Sequence, residues 1–595
     1  MRLFRMFQRT ETHIWAVMET FKRASCPPYE AVSYCWGSGK RDIPMVIGDI
    51  IIPITAHLAR SLSCMYTVLQ PRWLWIDQIC IEQADLEEKA EQVACMFQTF
   101  GNATRVIVWL GSSNEHIDNF TKDLPGIYSR ITDSRNRTVK EADTPEFLNS
   151  VYLHSNEPLM QGLYQICQKQ WFRRLWIVQE MVLAKQLLLL CGKNVVDWSQ
   201  LCAVAVYTVT LEVSLSRSGL PTIPLRLCDL HQMRMNSERL NQTGISKSEF
   251  AYHASKLVDL VFRQDCTEPA DRVYSVIGLL PDDIRKTLVV QYGDQARDHK
   301  WIVYKQFQKA MFSRMGDYFF GLLSSTPRPD WIPSWTASLE DVPLLQFPNS
   351  RAGISTGSAM VQLCREQCEE LTTPISFHNN TDEMRISGTI LDTVSDVVRL
   401  LPPNLTTHKT WEEVFGNRFW EDFPFIAGRI LDCKTICDVR HLSRKDSDSP
   451  VGHCPLAIVL AAIQPRLKAQ DFDTSTLSAL QWTQLIIEYY PRNKAMDFAD
   501  FKPEYKRGFE VLSQHWPSRS FFKTAGGMIG LGPELIQPGD RICIFLYAQH
   551  PSLLRKVPGQ EQYRILGQCY INDIMNGEIC EVMDLKKDYE VIKII

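Results

Sequence analysis

A chain of 595 residues, 45% of them hydrophobic, is too long for one core and predicts two or three globular domains rather than a disordered polymer. Its 64 basic and 68 acidic residues leave a net charge of −4, which gives no electrostatic reason to expect a nucleic-acid or anionic-membrane partner. The stretches near Leu183–Cys191 and Pro455–Ile463 fall far short of the roughly 20 apolar residues that span a bilayer, and the opening MRLFRMFQRTETHIWAVMETF lacks the apolar run of a signal peptide.

The 18 cysteines are scattered, and several (Cys80, Cys95, Cys191, Cys543) sit inside apolar runs. This pattern predicts a cytoplasmic protein with reduced, buried thiols.

In chain order, strands are expected at Glu30–Tyr34, Trp73–Ile76, Arg105–Leu110 and Leu187–Cys191. Between the first two, Leu58, Leu62, Tyr66 and Leu69 recur at helical spacing behind Thr55 as N-cap, which predicts a helix over 55–69. Asp85 followed three residues later by Glu88 predicts a capping box, with Val93, Met96, Phe97 and Phe100 on one apolar face. Phe172–Ala184 reads as a further helix, and Asn114–Glu157 as a polar insertion with little periodicity. A hairpin over Ile43–Ile54, turning at Gly48-Asp49, is placed at the sheet edge. Strands separated by helices predict a mostly parallel sheet covered on both faces.

Residues 201–345 read as mainly helical, with Val258, Val261 and Phe262 on one face and Trp301, Tyr304 and Phe307 on another, ending at the proline-bearing PDWIPSW. Residues 346–595 read as β-rich or α+β, with strands near Met384–Ile386, Ile542–Leu546 and Tyr563–Leu566 and a charged loop RKDSDSPVG. The expected domains are thus 1–200, 201–345 and 346–595.

Three aromatic-rich blocks stand out in the first domain: YEAVSYCWG (29–37), WLWIDQICIEQADLEEKAEQVACM (73–96) and WFRRLWIVQEMVLAK (171–185), the last followed by LLCG (189–192). Asp77 closes the second strand, where ligands collect outside the carboxyl ends of open α/β sheets. An N-terminal cap for the Gln78–Ile81 loop explains it equally well. No Gly-rich phosphate loop, GxSxG elbow or HExxH pair occurs, so nucleotidase, esterase and metalloprotease readings lack support.

The three blocks, in this order, resemble the fungal heterokaryon-incompatibility (HET) domain. The resemblance continues through FRQDCTEPADRVYSVIGLLPDD (262–283), IPSW (332–335), GPELIQPGDRICIFL (532–546) and YRILGQCYINDIMNGE (563–578). His57, Glu82 and Lys89 depart from the usual pattern, which has Asn, Asn and Arg there. HET domains in turn resemble Toll/interleukin-receptor (TIR) domains, so the resemblance implies a flavodoxin-like fold and an activity that some TIR domains have, hydrolysis of NAD. In TIR enzymes a Glu four residues after a Trp is the catalytic carboxylate, and Trp176 and Glu180 have that spacing, one helical turn apart.

A carboxylate beside the ribose stabilises the oxocarbenium character that develops as the nicotinamide–ribose bond breaks. Glu180 and Asp77 are the catalytic candidates on this reading. Trp176 and Trp36 are candidates for the cofactor-binding surface, with Trp36 stacking on nicotinamide or adenine and Lys40 and Arg41 of the turn GSGKR meeting the diphosphate. The competing readings are plain: Glu180 pairs with Arg173 or Arg174 on a helix surface, and GSGKR is a solvated turn.

Cys433, Cys437 and His441, with His453 and Cys454 nearby, match no familiar zinc spacing, and Cys364 and Cys368 repeat it without a His, so no metal is expected. Three functions follow: a cell-death effector of fungal self/non-self recognition acting on NAD, a non-catalytic signalling or assembly module, or a scaffold recruited to secondary metabolism. The partners expected are a small molecule, other incompatibility proteins or further copies of the chain.

Overall fold

The computed structural model describes residues 1–9, 14–37, 40–68, 72–135, 158–214, 222–237, 247–293, 298–315, 319–320, 323, 328–340, 375–378, 381–399, 519–545, 550–571 and 590–595. The cysteines and histidines at 364–368 and 433–454, and the loop 444–452, lie outside the described residues. Contacts divide the chain into two units, Met1–His299 and Lys300–Ile595.

The first unit is built on a nine-stranded sheet in the order β5-β4-β2-β1-β6-β3-β7-β8-β9. Its strands are β1 (Arg2–Arg9), β2 (Ile14–Thr20), β3 (Tyr29–Tyr34), β4 (Arg41–Ile47), β5 (Ile50–Thr55), β6 (Trp73–Trp75), β7 (Arg105–Trp109), β8 (Leu187–Cys191) and β9 (Asn194–Asp197). Four neighbouring strands, β6-β3-β7-β8, are parallel. All of β3 and most of β7 are buried on successive residues, which requires cover on both faces. The winding reverses at β3, with β6 on one side and β7 on the other, and such a reversal opens a crevice beyond the carboxyl ends of the strands.

The sheet as a whole is mixed, not mostly parallel: the pairs β1–β2, β1–β6, β4–β5 and β8–β9 are antiparallel. Three hairpins cause this: β4–β5 and β8–β9 at the two edges, and the N-terminal β1–β2, whose strands enter between β6 and β4. In it Phe4, Met6, Ile14 and Ala16 are buried while Phe7 remains exposed. The hairpin of β4 and β5 does form the sheet edge, turning at Gly48-Asp49.

Helix α1 (Ala56–Val68) starts where Thr55 Oγ1 accepts the Leu58 amide at 3.2 Å. Helix α2 (Asp77–Cys80) is a single turn, and α3 (Leu86–Ala94) is capped by Asp85, which accepts the amides of Glu87 and Glu88 at 3.0 Å. The capping box is one-sided, because Glu88 reaches the Glu82 amide (3.1 Å) and the Arg2 guanidinium instead of the Asp85 amide. Helix α4 (Met96–Asn102) leads into β7.

The expected polar insertion begins with a 21-residue helix, α5 (Glu115–Arg135). Its buried Ile117, Phe120, Leu124, Ile127 and Ile131 recur at intervals of three and four, a core-facing stripe diluted by many charges. Helix α6 (Pro158–Cys167) packs beside it. The helix expected over Phe172–Ala184 is instead a 3-10 turn, Gln170–Arg173, and a short helix α7 (Ile177–Val182). Arg174 between them is extended, with φ −68° and ψ 137°, because the backbone there pairs with Asp265: Asp265 N–H donates to Arg173 C=O (2.6 Å) and Leu175 N–H to Asp265 C=O (3.1 Å). A tertiary ladder thus overrides helix propensity.

Helices α8 (Trp198–Ser214), α9 (Thr222–Asn236) and α10 (Lys247–Phe262) follow, with Val258, Val261 and Phe262 buried as their spacing predicts.

The second unit contains helix α11 (His299–Met315, from Lys300 within this unit), where Trp301, Tyr304 and Phe307 are buried, and a β-rich region. There β14 (Arg541–Phe545), β15 (Ser552–Lys556), β16 (Gln562–Gln568), β18 (Glu590–Ile594) and the long β11 (Met384–Arg399) close on themselves, since β11 also pairs with β14. Closure removes the free edges of this ring. Beyond it β11 continues onto β12 (Arg519–Thr524), β13 (Ile529–Pro533) and β17 (Tyr570–Ile571), and β10 (Ile375–Phe377) pairs with β11 near its start. Val394, Phe522, Ile542, Ile544, Leu553 and Ile571 pack into one core.

Candidate functional site

Strands β3 and β6 end side by side, and each delivers one polar group to the same place. After β3 the chain runs through Cys35 and Trp36 to Gly37, whose φ of +72° makes the sharp turn. After β6 it reaches Asp77. The Trp36 indole N–H donates to Asp77 Oδ2 at 2.9 Å, while Asp77 Oδ1 accepts the Gln78 amide at 2.7 Å. Asp77 therefore both starts α2 and ties the two strand ends together. The Arg41 guanidinium lies over the Trp36 ring, 5.4 Å from its centroid, a cation–π contact. Lys40 is exposed and paired with Asp42 at 3.2 Å.

Glu180 enters from α7. It is 3% exposed, not on a helix surface, and accepts the hydroxyl proton of Ser33 in β3. Ser33 Oγ in turn accepts the Trp171 indole N–H at 2.6 Å. Arg173 is not its partner: that side chain pairs with Asp265 at 3.0 Å. Arg174 donates to the Tyr34 carbonyl, and its charge lies among those of Glu180 and Asp77.

Burial pushes the Glu180 carboxyl up from its usual range, while Arg174 and the Ser33 hydrogen bond pull it back and Asp77 adds to the rise. Asp77 is likewise pushed up by burial, against the pull of Arg174 and of its bonds to Trp36 and Gln78. Burial works against the charge on Arg174, yet Glu180, with Cys35, Asp77 and Tyr34, holds its pKa above the ordinary value. The Arg174 charge thus acts electrostatically on both carboxylates. The Tyr34 hydroxyl, buried beside them, has no hydrogen-bond partner among the described residues.

Trp176 is one turn before Glu180, and the Glu180 amide donates to its carbonyl at 3.2 Å. The indole N–H, however, goes to Asp271 Oδ2 at 3.0 Å, not to the neighbours of Glu180. Asp271 Oδ1 accepts the Tyr292 hydroxyl at 2.7 Å, and the Lys89 ammonium stands 4.1 Å from the centroid of the Tyr292 ring. His57 lies within van der Waals reach of a side chain built at Gly37 or Gly111 and meets Trp109 edge-on, 6.4 Å between centroids.

Of the residues singled out in the sequence, Asp77 and Glu180 both feel the Arg174 charge, Trp36 is bonded to Asp77, and Arg41 covers Trp36; Lys40 and Trp176 are engaged with other partners. Ser33, Tyr34, Arg174 and Asp271 were not singled out for chemistry, although the first three stand inside the aromatic-rich blocks. Among the described residues no group of three His, Cys, Asp or Glu side chains is arranged to hold a metal ion. No described helix is long and apolar enough to cross a membrane. Chemically, the cluster offers two carboxylates of raised pKa, a fixed positive charge, a free phenol and an indole face.

Comparison with known proteins gives two family matches. Residues 29–180 match the family described as heterokaryon incompatibility protein (HET), and residues 495–592 match the Het-6 β-barrel domain. A curated relative, heterokaryon incompatibility protein 6, OR allele, from Neurospora crassa, is 24% identical over 639 aligned residues, covering 95% of this chain and 92% of its own length. No solved structure is a significant match.

Proposed function

This chain is a HET-domain protein, and from that premise we propose that it acts in fungal heterokaryon incompatibility, with cell death as the output and the Asp77–Arg174–Glu180 cluster as its working site. The role in incompatibility is supported by the HET match and by the relative that carries that name along almost the whole chain. The chemistry we propose is hydrolysis of the nicotinamide–ribose bond of NAD.

The observation that supports the chemistry is that two carboxylates from different blocks are fixed near the ends of neighbouring parallel strands, Asp77 by the Trp36 indole and Glu180 by Ser33, with the Arg174 charge, held on the Tyr34 carbonyl, acting electrostatically on both. Arg174 opposes the upward push of burial on both carboxyls, and an ionised carboxylate there stabilises an oxocarbenium-like ribose. Trp36, backed by Arg41, supplies a flat face for a base. In a test with the purified chain and NAD, nicotinamide is released, and Glu180→Gln slows release by about a hundredfold or more, the usual scale for a catalytic acid, base or electrostatic group. No nicotinamide, or equal release by the variant, rules the chemistry out.

A second reading is favoured by the burial of Glu180 and its engagement with Ser33: the cluster locks the fold, and the HET domain works by assembly. On that reading a Glu180→Gln, Asp77→Asn double variant that still folds retains its biological effect.

A further inference from the structure

We infer that the segment 265–292, C-terminal to the matched HET region, is part of the same site, and that Asp271 within it is a positioning residue that holds the Glu180 turn through Trp176. This rests on the reading of Glu180 given above. The family match ends at Glu180 itself, yet the turn that carries Glu180 is only six residues long and cannot hold its own orientation.

It is held from several sides by residues beyond the match. At its entrance, Asp265 pairs with the backbone of Arg173 and Leu175. At its first turn, Asp271 takes the Trp176 indole N–H at 3.0 Å and is itself fixed by Tyr292 at 2.7 Å. In the middle, Gln179 Oε1 accepts the Gly278 amide at 3.0 Å, with Gly278 so close that a methyl group there would overlap the Phe97 side chain. At its end, Arg234 of α9 donates to the carbonyl of Met181 and, at 2.7 Å, to that of Ala184, where the helix stops.

The consequence is directional. Trp176 and Glu180 are joined by a backbone hydrogen bond, so a shift at the Trp176 end moves the carboxylate. Asp271 is the one carboxylate bonded to that indole and faces Lys89, Glu268 and Tyr292 rather than the Arg174 cluster. Its hydrogen-bond partners, Trp176 and Tyr292, are not among the groups of the proposed working site (Asp77, Arg174, Glu180, Trp36 and Arg41), so its effect is on position.

Hydrogen exchange on the full chain separates this from general packing. In Asp271→Ala and in Trp176→Phe, the amides of Val178, Glu180 and Leu183 exchange roughly ten- to a hundredfold faster, the loss expected for a hydrogen bond to a charged group. The double variant is no faster than either single one, because both remove the same bond. Asp271→Asn, which keeps an acceptor for the indole, stays slow. Unchanged exchange at these amides, an additive double variant, or a rise spread evenly over β3, β7 and β8 overturns the inference. With NAD, Asp271→Ala lowers kcat and leaves KM unchanged. If the wild-type chain releases no nicotinamide, the catalytic reading of Glu180 falls while the exchange data still decide whether Asp271 holds the turn.

Discussion

Ser33 donates its hydroxyl proton to the Glu180 carboxylate, so that a side chain in the middle of the sheet fixes one delivered by α7. The same oxygen accepts the Trp171 indole N–H, so Ser33→Ala strands a buried acceptor and a buried donor at once. Each unsatisfied group costs about 1–3 kcal/mol. Together they cost about 2–6 kcal/mol, so thermal unfolding of the first unit is expected about 4–12 °C lower in the variant, at about 2 °C per kcal/mol for a unit of this size. A shift below one degree contradicts the bonding.

Gly278 is required for closeness, not for backbone freedom. A Cβ added there would overlap Phe97 Cβ and lie 2.7 Å from Gln179 Oε1. Gly278→Ala is expected to destabilise the first unit by about 1–3 kcal/mol, and denaturant titration reads this as a lower midpoint at unchanged slope.

The Asp271 carboxyl is pushed up to about 6 by burial, against the pull of Tyr292, Trp176 and Lys89, with Glu268 adding to the rise. A folded pKa above the unfolded one means the folded state holds the proton more tightly. This contribution is full below about pH 4, and is lost as pH rises through 6; it amounts to about 3 kcal/mol across the window. Comparing the pH dependence of unfolding in the wild type and Asp271→Asn isolates it: the wild-type minus variant stability falls between pH 4 and pH 6. A flat or rising difference contradicts the assignment.

In the second unit, Asp540 is buried and takes both Arg555 nitrogens, at 2.8 and 2.9 Å, together with the Gln537 amide at 2.8 Å. Arg555 is partly exposed, so what Asp540→Ala strands most severely is the Gln537 amide, and the substitution is expected to cost about 1–3 kcal/mol. Hydrogen exchange registers it as faster exchange in β14 and β15, with the first unit unchanged.

Much of the fold is legible from local pattern. The strands β3, β6, β7 and β8 begin and end within a residue or so of where their apolar runs do, because central parallel strands are buried on both faces. The N-terminal hairpin is masked by its charges: Arg2, Arg5 and Arg9 interrupt the alternation in β1. Helix α5 is hidden in the same way, its stripe of Ile117, Phe120, Leu124, Ile127 and Ile131 diluted among acidic and polar residues. The break at Arg174 has no local signal at all, since it comes from pairing with Asp265, remote in sequence. For the site, Asp77 and Glu180 carry signals of strand-end position and of family resemblance. Ser33 does not, because what makes it matter is the carboxylate it meets across the fold; Arg174 reads only as a surface partner of Glu180, whereas its guanidinium turns to the Tyr34 carbonyl.

The most direct test of the central claim is the survival of fungal cells expressing the full chain, with wild-type and Glu180→Gln proteins brought to equal soluble level and checked for equal thermal stability. The substitution keeps an acceptor for Ser33 and removes only the charge. The wild-type chain is expected to reduce survival and the variant to restore it; a variant as lethal as the wild type contradicts a working role for the Glu180 carboxylate.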